Sequence, residues 1–201
     1  MRIQDFIDYI SSTKATFERE VDEALAEKRQ QFSYTLRKGK VVFDRAVRQK
    51  LRRERIGTWR YLADAHPMYV ITAPIIYGMI VPLALLDITI SIYQHLCFRV
   101  YGIPRVKRGQ YIRLDRHRLP YLNTVQKMNC VYCSYGNGLI AYAREIIAKT
   151  EQYWCPIKHA RRTKGEHARV QQFFDYGDAH AYKTQLVYVR DQLKQESPND
   201  L

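Results

Sequence analysis

Three of the chain's four cysteines and a histidine fall in one stretch, CVYCSYGNGLIAYAREIIAKTEQYWCPIKHARR, from Cys130 to Arg162. Cys130 and Cys133 form C-x2-C, and Cys155 and His159 follow as C-x3-H, a set compatible with a structural zinc ion. Iron on the same four residues would make a redox or electron-transfer centre. Geometry raises an objection. An unbroken helix from Leu139 to Trp154 sets its ends about 22 Å apart, too far for one ion. Within one chain the site then needs a shorter helix, or a chain that doubles back before Cys155. An antiparallel homodimer would instead bring CVYC of one copy to CPIKH of the other. CVYC alone, near the start of a helix, is a candidate thiol pair, because the positive end of the helix dipole favours a thiolate. No βαβ pattern surrounds it, however, and Ser134 rather than His follows Cys133, which excludes haem attachment. In a third reading the cysteines are small packed residues, as Cys97 is.

Other chemistry is thinner. Glu145 and Glu151 stand six apart on one expected helix and do not share a face, and Glu166–His167 lacks the Glu-x-x-His spacing of di-iron bundles. The chain contains no G-x-S-x-G, no phosphate-binding glycine loop and no H-E-x-x-H. No reaction or substrate is legible.

The elements that must carry these residues begin with charge. Lys and Arg total 33 against 20 Asp and Glu, a net charge of +13, so the expected partners are anionic. Nucleic acid is disfavoured by the lack of any reading motif. Asp5 and Asp8 interrupt the N-terminus where a signal sequence needs its apolar run, so a reducing compartment is expected. From Ile3 to about Phe32 the apolar spacing predicts one or two surface helices. Gly39 interrupts. Val41 to Arg55 then reads as a basic amphipathic helix whose Arg45, Arg48, Arg52 and Arg53 suit an anionic membrane surface.

Between Asp64 and Arg99 the only formal charge is Asp87, and MYVITAPIIYGMIVPLALL alone approaches the roughly 20 apolar residues of a membrane span. Trp59, Tyr61, Tyr69, Tyr93 and Tyr101 lie near its ends, where amphipathic rings favour the headgroup zone. Both flanks are basic: ten Lys and Arg between Arg37 and Arg60, and seven between Arg99 and Arg118. A single crossing satisfies the positive-inside preference on one side only. A re-entrant hairpin bending near Pro74, Gly78 and Pro82 satisfies both, and a tilted single span is the alternative. Asp87 is a polar site at membrane depth, or else the cap of the helix after it.

Beyond the segment, Gly102, Pro104 and Gly109 mark a connector with one small strand at QYIRL. Pro120 suits the first turn of a helix, SYGNG at Ser134 to Gly138 reads as a turn, and Leu139 to Trp154 as the next helix. Later helices are expected at His167 to Phe174 and at Asp178 to Leu193, the second capped by Asp178, followed by a frayed tail.

YCSYGNGLIAYAREI from Tyr132, TEQYWCPIKHARR from Thr150 and DRHRLPYLN from Asp115 together resemble a family of short bacterial membrane-associated proteins with no assigned activity. The resemblance covers roughly residues 70 to 180 and implies a bacterial inner-membrane setting. The whole reads as a mainly α protein, with amphipathic helices around one membrane-embedded segment and a small cysteine-containing helical unit after it. The expected units are 1–60, 61–103, 104–194 and a disordered tail at 195–201. The expected function is interaction or assembly with a membrane protein on the cytoplasmic face of the anionic inner membrane, with an iron- or thiol-dependent redox protein as the alternative.

Overall fold

The structure is a computed structural model that describes residues 3–37, 40–161 and 163–196. Gly39 and the tail beyond Glu196 lie outside the described residues. The first element is one uninterrupted helix, α1 (Ile3–Gln31). Where a long basic helix was expected from Val41, the chain first makes an antiparallel hairpin of β1 (Tyr34–Arg37) and β2 (Lys40–Phe43), with Tyr34 opposite Phe43 and Leu36 opposite Val41. Val41, Val42 and Phe43 are β-branched or aromatic and prefer the strand, which shortens the basic helix to α2 (Arg45–Arg53). A short α3 (Thr58–Ala63) follows.

The apolar segment is one continuous helix, α4 (Pro67–Tyr101). At 35 residues it is about 52 Å long. The re-entrant hairpin is therefore not adopted. Pro74 and Pro82 each remove one backbone donor, which an apolar helix tolerates. Their effect is a loosened turn near Gly78, where the Met79 amide donates to the Ile76 carbonyl (3.2 Å) and the Leu83 amide to Met79 (3.3 Å). A wider turn spans Gln94–Phe98. The helix ends where Gly102 takes φ 71° and the Ile103 amide returns to the Phe98 carbonyl at 2.9 Å, a left-handed stop that glycine adopts at least cost.

The connector 102–123 has a helical turn at Arg108–Tyr111 and another at Arg116–Arg118, and the strand expected at QYIRL does not form. It leads to α5 (Thr124–Trp154). The start of α5 lies four residues beyond Pro120, because Asn123 and Gln126 close a reciprocal capping box. The turn expected at Ser134 to Gly138 is helix interior. Its glycines serve packing: a Cβ on Gly138 would stand 2.7 Å from the Tyr111 carbonyl oxygen and 2.9 Å from Ile112 Cα. The connector thus lies directly on α5.

α5 runs parallel to α4. Leu83 meets Gly136, Asp87 meets Tyr135, and Tyr93 meets Thr150. After a loop with a turn at Ala168–Gln172, α6 (Ala179–Gln195) returns along the end of α5. As expected, Asp178 caps it, accepting from the Ala181 amide at 2.9 Å. The core joins α4, the connector, α5 and α6 through Ile90, Phe98, Ile103, Val106, Leu139, Tyr142, Ile146 and Leu193. Each such side chain contributes about 1.5–3 kcal/mol by leaving water.

Candidate functional site: an apolar helix backed by a polar seam

The core covers only part of α4. From Pro67 to Pro82 nearly every side is exposed, with only Thr72, Ala73 and Tyr77 partly covered. Beyond Pro82 one face stays open, formed by Leu85, Ile88, Ile92, Leu96 and Val100. None of the helix's most apolar window is buried, and its length and composition suffice to cross a membrane. On α5, Ile140, Ile147 and Trp154 recur at intervals of seven as a second exposed apolar stripe. Soluble monomers seldom leave so much contiguous apolar surface uncovered.

Arg45, Arg48, Arg52 and Arg53 all point to solvent from α2, while Val47 and Leu51 are half-buried. Val47 and Leu51, with Phe32, Tyr34, Phe43, Leu119 and Tyr121, help line a cavity of about 540 Å³ between the hairpin, α2 and the connector. The expected basic surface therefore exists on a shorter helix. Of the terminal aromatics, Trp59 and Tyr69 are exposed. Tyr93 and Tyr101 turn inward, to the Thr150 hydroxyl at 2.9 Å and onto the Tyr153 ring.

Asp87 faces protein rather than capping a new helix. Its carboxylate accepts two hydrogen bonds from the Arg108 guanidinium (2.6 and 3.2 Å) and one from the Tyr135 hydroxyl (2.9 Å). This fork satisfies a charge that would otherwise be costly in so apolar a helix. Two turns on, the buried Gln94 accepts from the Val106 amide (3.1 Å) and donates to the Val106 carbonyl (3.4 Å) and the Tyr142 hydroxyl. Arg116 reaches the Ser134 hydroxyl at 3.0 Å. The connector thus follows α4 backwards along a polar seam on the side away from the open apolar face.

A second polar group went unforeseen in the sequence. The Arg169 side chain is 2% exposed and binds Glu145 at 2.7 Å, Gln152 at 2.7 Å and both oxygens of Glu196 at 2.8 and 2.9 Å. Lys149, equally enclosed, reaches Glu196 at 3.3 Å and the Pro104 carbonyl at 3.3 Å. Burial, joined by the Arg169 charge, pushes the Lys149 ammonium below its usual range. Burial by itself would raise Glu196, but the Arg169 hydrogen bond and charge, helped by Lys149, hold its carboxyl below the usual value. His167 pairs with Glu151 at 2.9 Å. Glu145 and Glu151, six apart on α5, thus serve two different partners and pin the 156–178 loop and α6 to α5. In sequence Arg169 and Glu196 carried no signal beyond being charged residues near helix ends.

The cysteine block does not converge. Cys130 and Cys133 lie inside α5, and Cys155 follows its last residue. The step from residue 133 to residue 155 is twenty-two residues of helical rise, about 33 Å. Cys155 and His159 are exposed at the far end. One ion within the chain cannot take all four ligands, and no group of three or more metal-binding side chains forms among the described residues. Cys130 is also too deep in α5 for the helix N-terminus to favour its thiolate, because that influence fades within the first turn. Comparison with protein-family models, curated proteins and solved structures finds no match to this chain.

Proposed function

We propose that this protein is a membrane-associated interaction or assembly factor on the cytoplasmic face of a bacterial inner membrane. The carrying observation is the open apolar surface of α4, of which the most apolar window has no buried share. A core helix of similar composition would be enclosed. Basic α2 adds an electrostatic contact to anionic lipid of about 1 kcal/mol for each cation near the surface. The bacterial setting rests on the resemblance carried by Tyr132 to Arg162.

The connector supports an interfacial placement for the second half of α4. A perpendicular crossing by that half would take Arg105, Lys107, Arg113 and Arg116 into the bilayer with it, each at about 2.5–3.5 kcal/mol near the bilayer centre. A helix lying along the interface instead puts its apolar face about 5–10 Å into the lipid and leaves the connector at headgroup height. Both basic flanks then stay on the cytoplasmic side. The Pro67 to Pro82 half is exposed on more sides than a lipid surface covers, and there the chain docks a membrane protein partner.

Fractionation and labelling test this reading. High salt should leave the protein on membranes and detergent should release it. A cysteine-free variant with one reporter cysteine beside Arg60, or one at Lys107, should resist an impermeant thiol reagent in intact cells and react once cells are opened. Labelling of a single site in intact cells would establish a crossing and refute the interfacial placement. Recovery in the soluble fraction would refute the membrane reading itself.

A further inference from the structure

We infer that the protein forms a two-fold dimer in which the α1 helices of two copies run antiparallel, each laying its apolar face into the cavity at the base of the other. The inference goes beyond the membrane reading and does not depend on where α4 sits. Among the described residues of α1 every side chain is exposed except the half-buried Arg29, although helices in proteins draw most of their stability from packing an amphipathic face. Phe17, Val21 and Leu25 stand four apart on one such face, and all three are exposed. Phe32 comes eleven residues after Val21, three turns on, and falls on the same side. Its amide donates to the Lys28 carbonyl at 3.0 Å, which carries the helical path that far. Phe32 also lines the cavity of about 540 Å³ that Tyr34, Phe43, Val47 and Leu51 enclose. The apolar row of α1 therefore runs into the cavity.

The row cannot fill the cavity of its own chain. Val21 lies about 16 Å up the helix from Phe32, and α1 is unbroken between Val21 and its end at Gln31, so a second helix has to come from another chain. Charge selects a second copy. Between Ala15 and Glu27 five carboxylates stand against Arg19 alone, and Arg19 lies beside Glu23 at 4.0 Å. Glu20 and Asp22 flank the apolar row on its two sides, and neither has a hydrogen bond or ion pair among the described residues. An anionic lipid surface repels such a face. The cavity has the opposite sign: the one formal charge in its lining is Lys50, and α2 carries five Lys and Arg and no carboxylate. Arg45 and Arg52 point away from the Val47 side of α2 and stay free to meet lipid. A two-fold axis crossing α1 between Ala26 and Glu27 sets Val21 of each copy beside Phe32 of the other. Both cavities then fill at once, and the assembly closes as a dimer. The same axis brings Asp22 of each copy opposite Arg29 of the other on one flank, within about 3 Å along the helix axis. It also brings Glu27 near its own copy, the one unfavourable pairing.

Full-length protein in a neutral detergent, diluted through its dissociation range and followed by sedimentation, provides the test. Wild type should be a dimer that dissociates on dilution. Val21→Gln should raise the dimer Kd at least tenfold and leave the far-ultraviolet circular dichroism of the monomer unchanged, because Val21 is already exposed there. Asp22→Arg or Arg29→Asp alone should weaken the dimer about fivefold, and the two in one chain should restore it. Glu27→Gln should tighten it. In a cysteine-free background, a short bis-maleimide should join Val21→Cys in one chain to Gln31→Cys in another. A monomer at every concentration, or a dimer indifferent to Val21→Gln, would overturn the pairing. A double charge variant no tighter than the single ones would overturn the antiparallel register. A dimer lost in Ile147→Gln instead would put the interface on the α5 stripe and refute the role of α1.

Discussion

Two glycines of α5, two residues apart, should respond to alanine with opposite signs. In a helix interior, glycine to alanine stabilises by about 1 kcal/mol. At Gly136 nothing opposes this gain, since the nearest atom to a new Cβ is Leu83 Cδ1 at 3.4 Å, the end of a side chain that can turn. At Gly138 the new methyl meets connector backbone, at 2.7 Å from the Tyr111 oxygen and 2.9 Å from Ile112 Cα. Overpacking of this kind costs about 1–3 kcal/mol, and contact with main chain on two sides places it toward the upper end. The net is a gain of about 1 kcal/mol for Gly136→Ala and a loss of about 1–2 kcal/mol for Gly138→Ala. For a chain of this length, about 2–4 °C per kcal/mol turns these into a Tm raised by about 3 °C and a Tm lowered by about 3–6 °C. Tryptophan fluorescence during heating in neutral detergent reads both. Gly138→Ala melting at or above wild type would show that the connector does not rest on α5 there.

The buried charge network gives further tests. Arg169→Ala should destabilise by about 3 kcal/mol, because it strands Glu145 and leaves Glu196 with Lys149 alone; a loss under about 1 kcal/mol in chemical denaturation would count against the network. Glu196 has a folded pKa below its ordinary 4.5, so its contribution is complete above that value and disappears as pH falls through the lower folded one. Tm should hold steady from neutral pH to about 5 and then fall, and Glu196→Gln should flatten the fall; an identical acid profile in the variant would refute this. For metal, monomeric protein should take up no stoichiometric zinc through Cys130, Cys133, Cys155 and His159. Near-equimolar zinc in the monomer, lost in Cys155→Ser, would overturn the geometry of α5.

Much of the helical plan was legible because it rests on periodicity and composition. α1, the apolar run of α4 and the Asp178 cap of α6 follow from local signals that the packing leaves in force. What could not be read was set by contacts between distant segments. Gly136 and Gly138 look like a turn because glycine usually marks one, and only the approach of Tyr111 and Ile112 explains two glycines inside a helix. Pro74 and Pro82 suggested a bend, yet in an apolar helix they remove donors without reversing the chain. The cysteine block looked like one site because its members are close in sequence, and an unbroken helix holds its two halves apart. Arg169 and Glu196 meet across twenty-seven residues, a pairing with no local trace.

The two basic flanks of the apolar segment pose a problem of sidedness that a hairpin would solve. The connector solves it differently. Since Val106 meets Gln94, Arg108 meets Asp87 and Ile112 meets Gly138, the chain after α4 retraces the helix instead of leaving from its far end. The second flank is therefore a basic strip laid along the back of the second half of α4. That half is apolar toward one side and cationic toward the other, which is the pattern of an interfacial helix. In the proposed placement the cationic strip and the basic face of α2 would meet the same anionic headgroups.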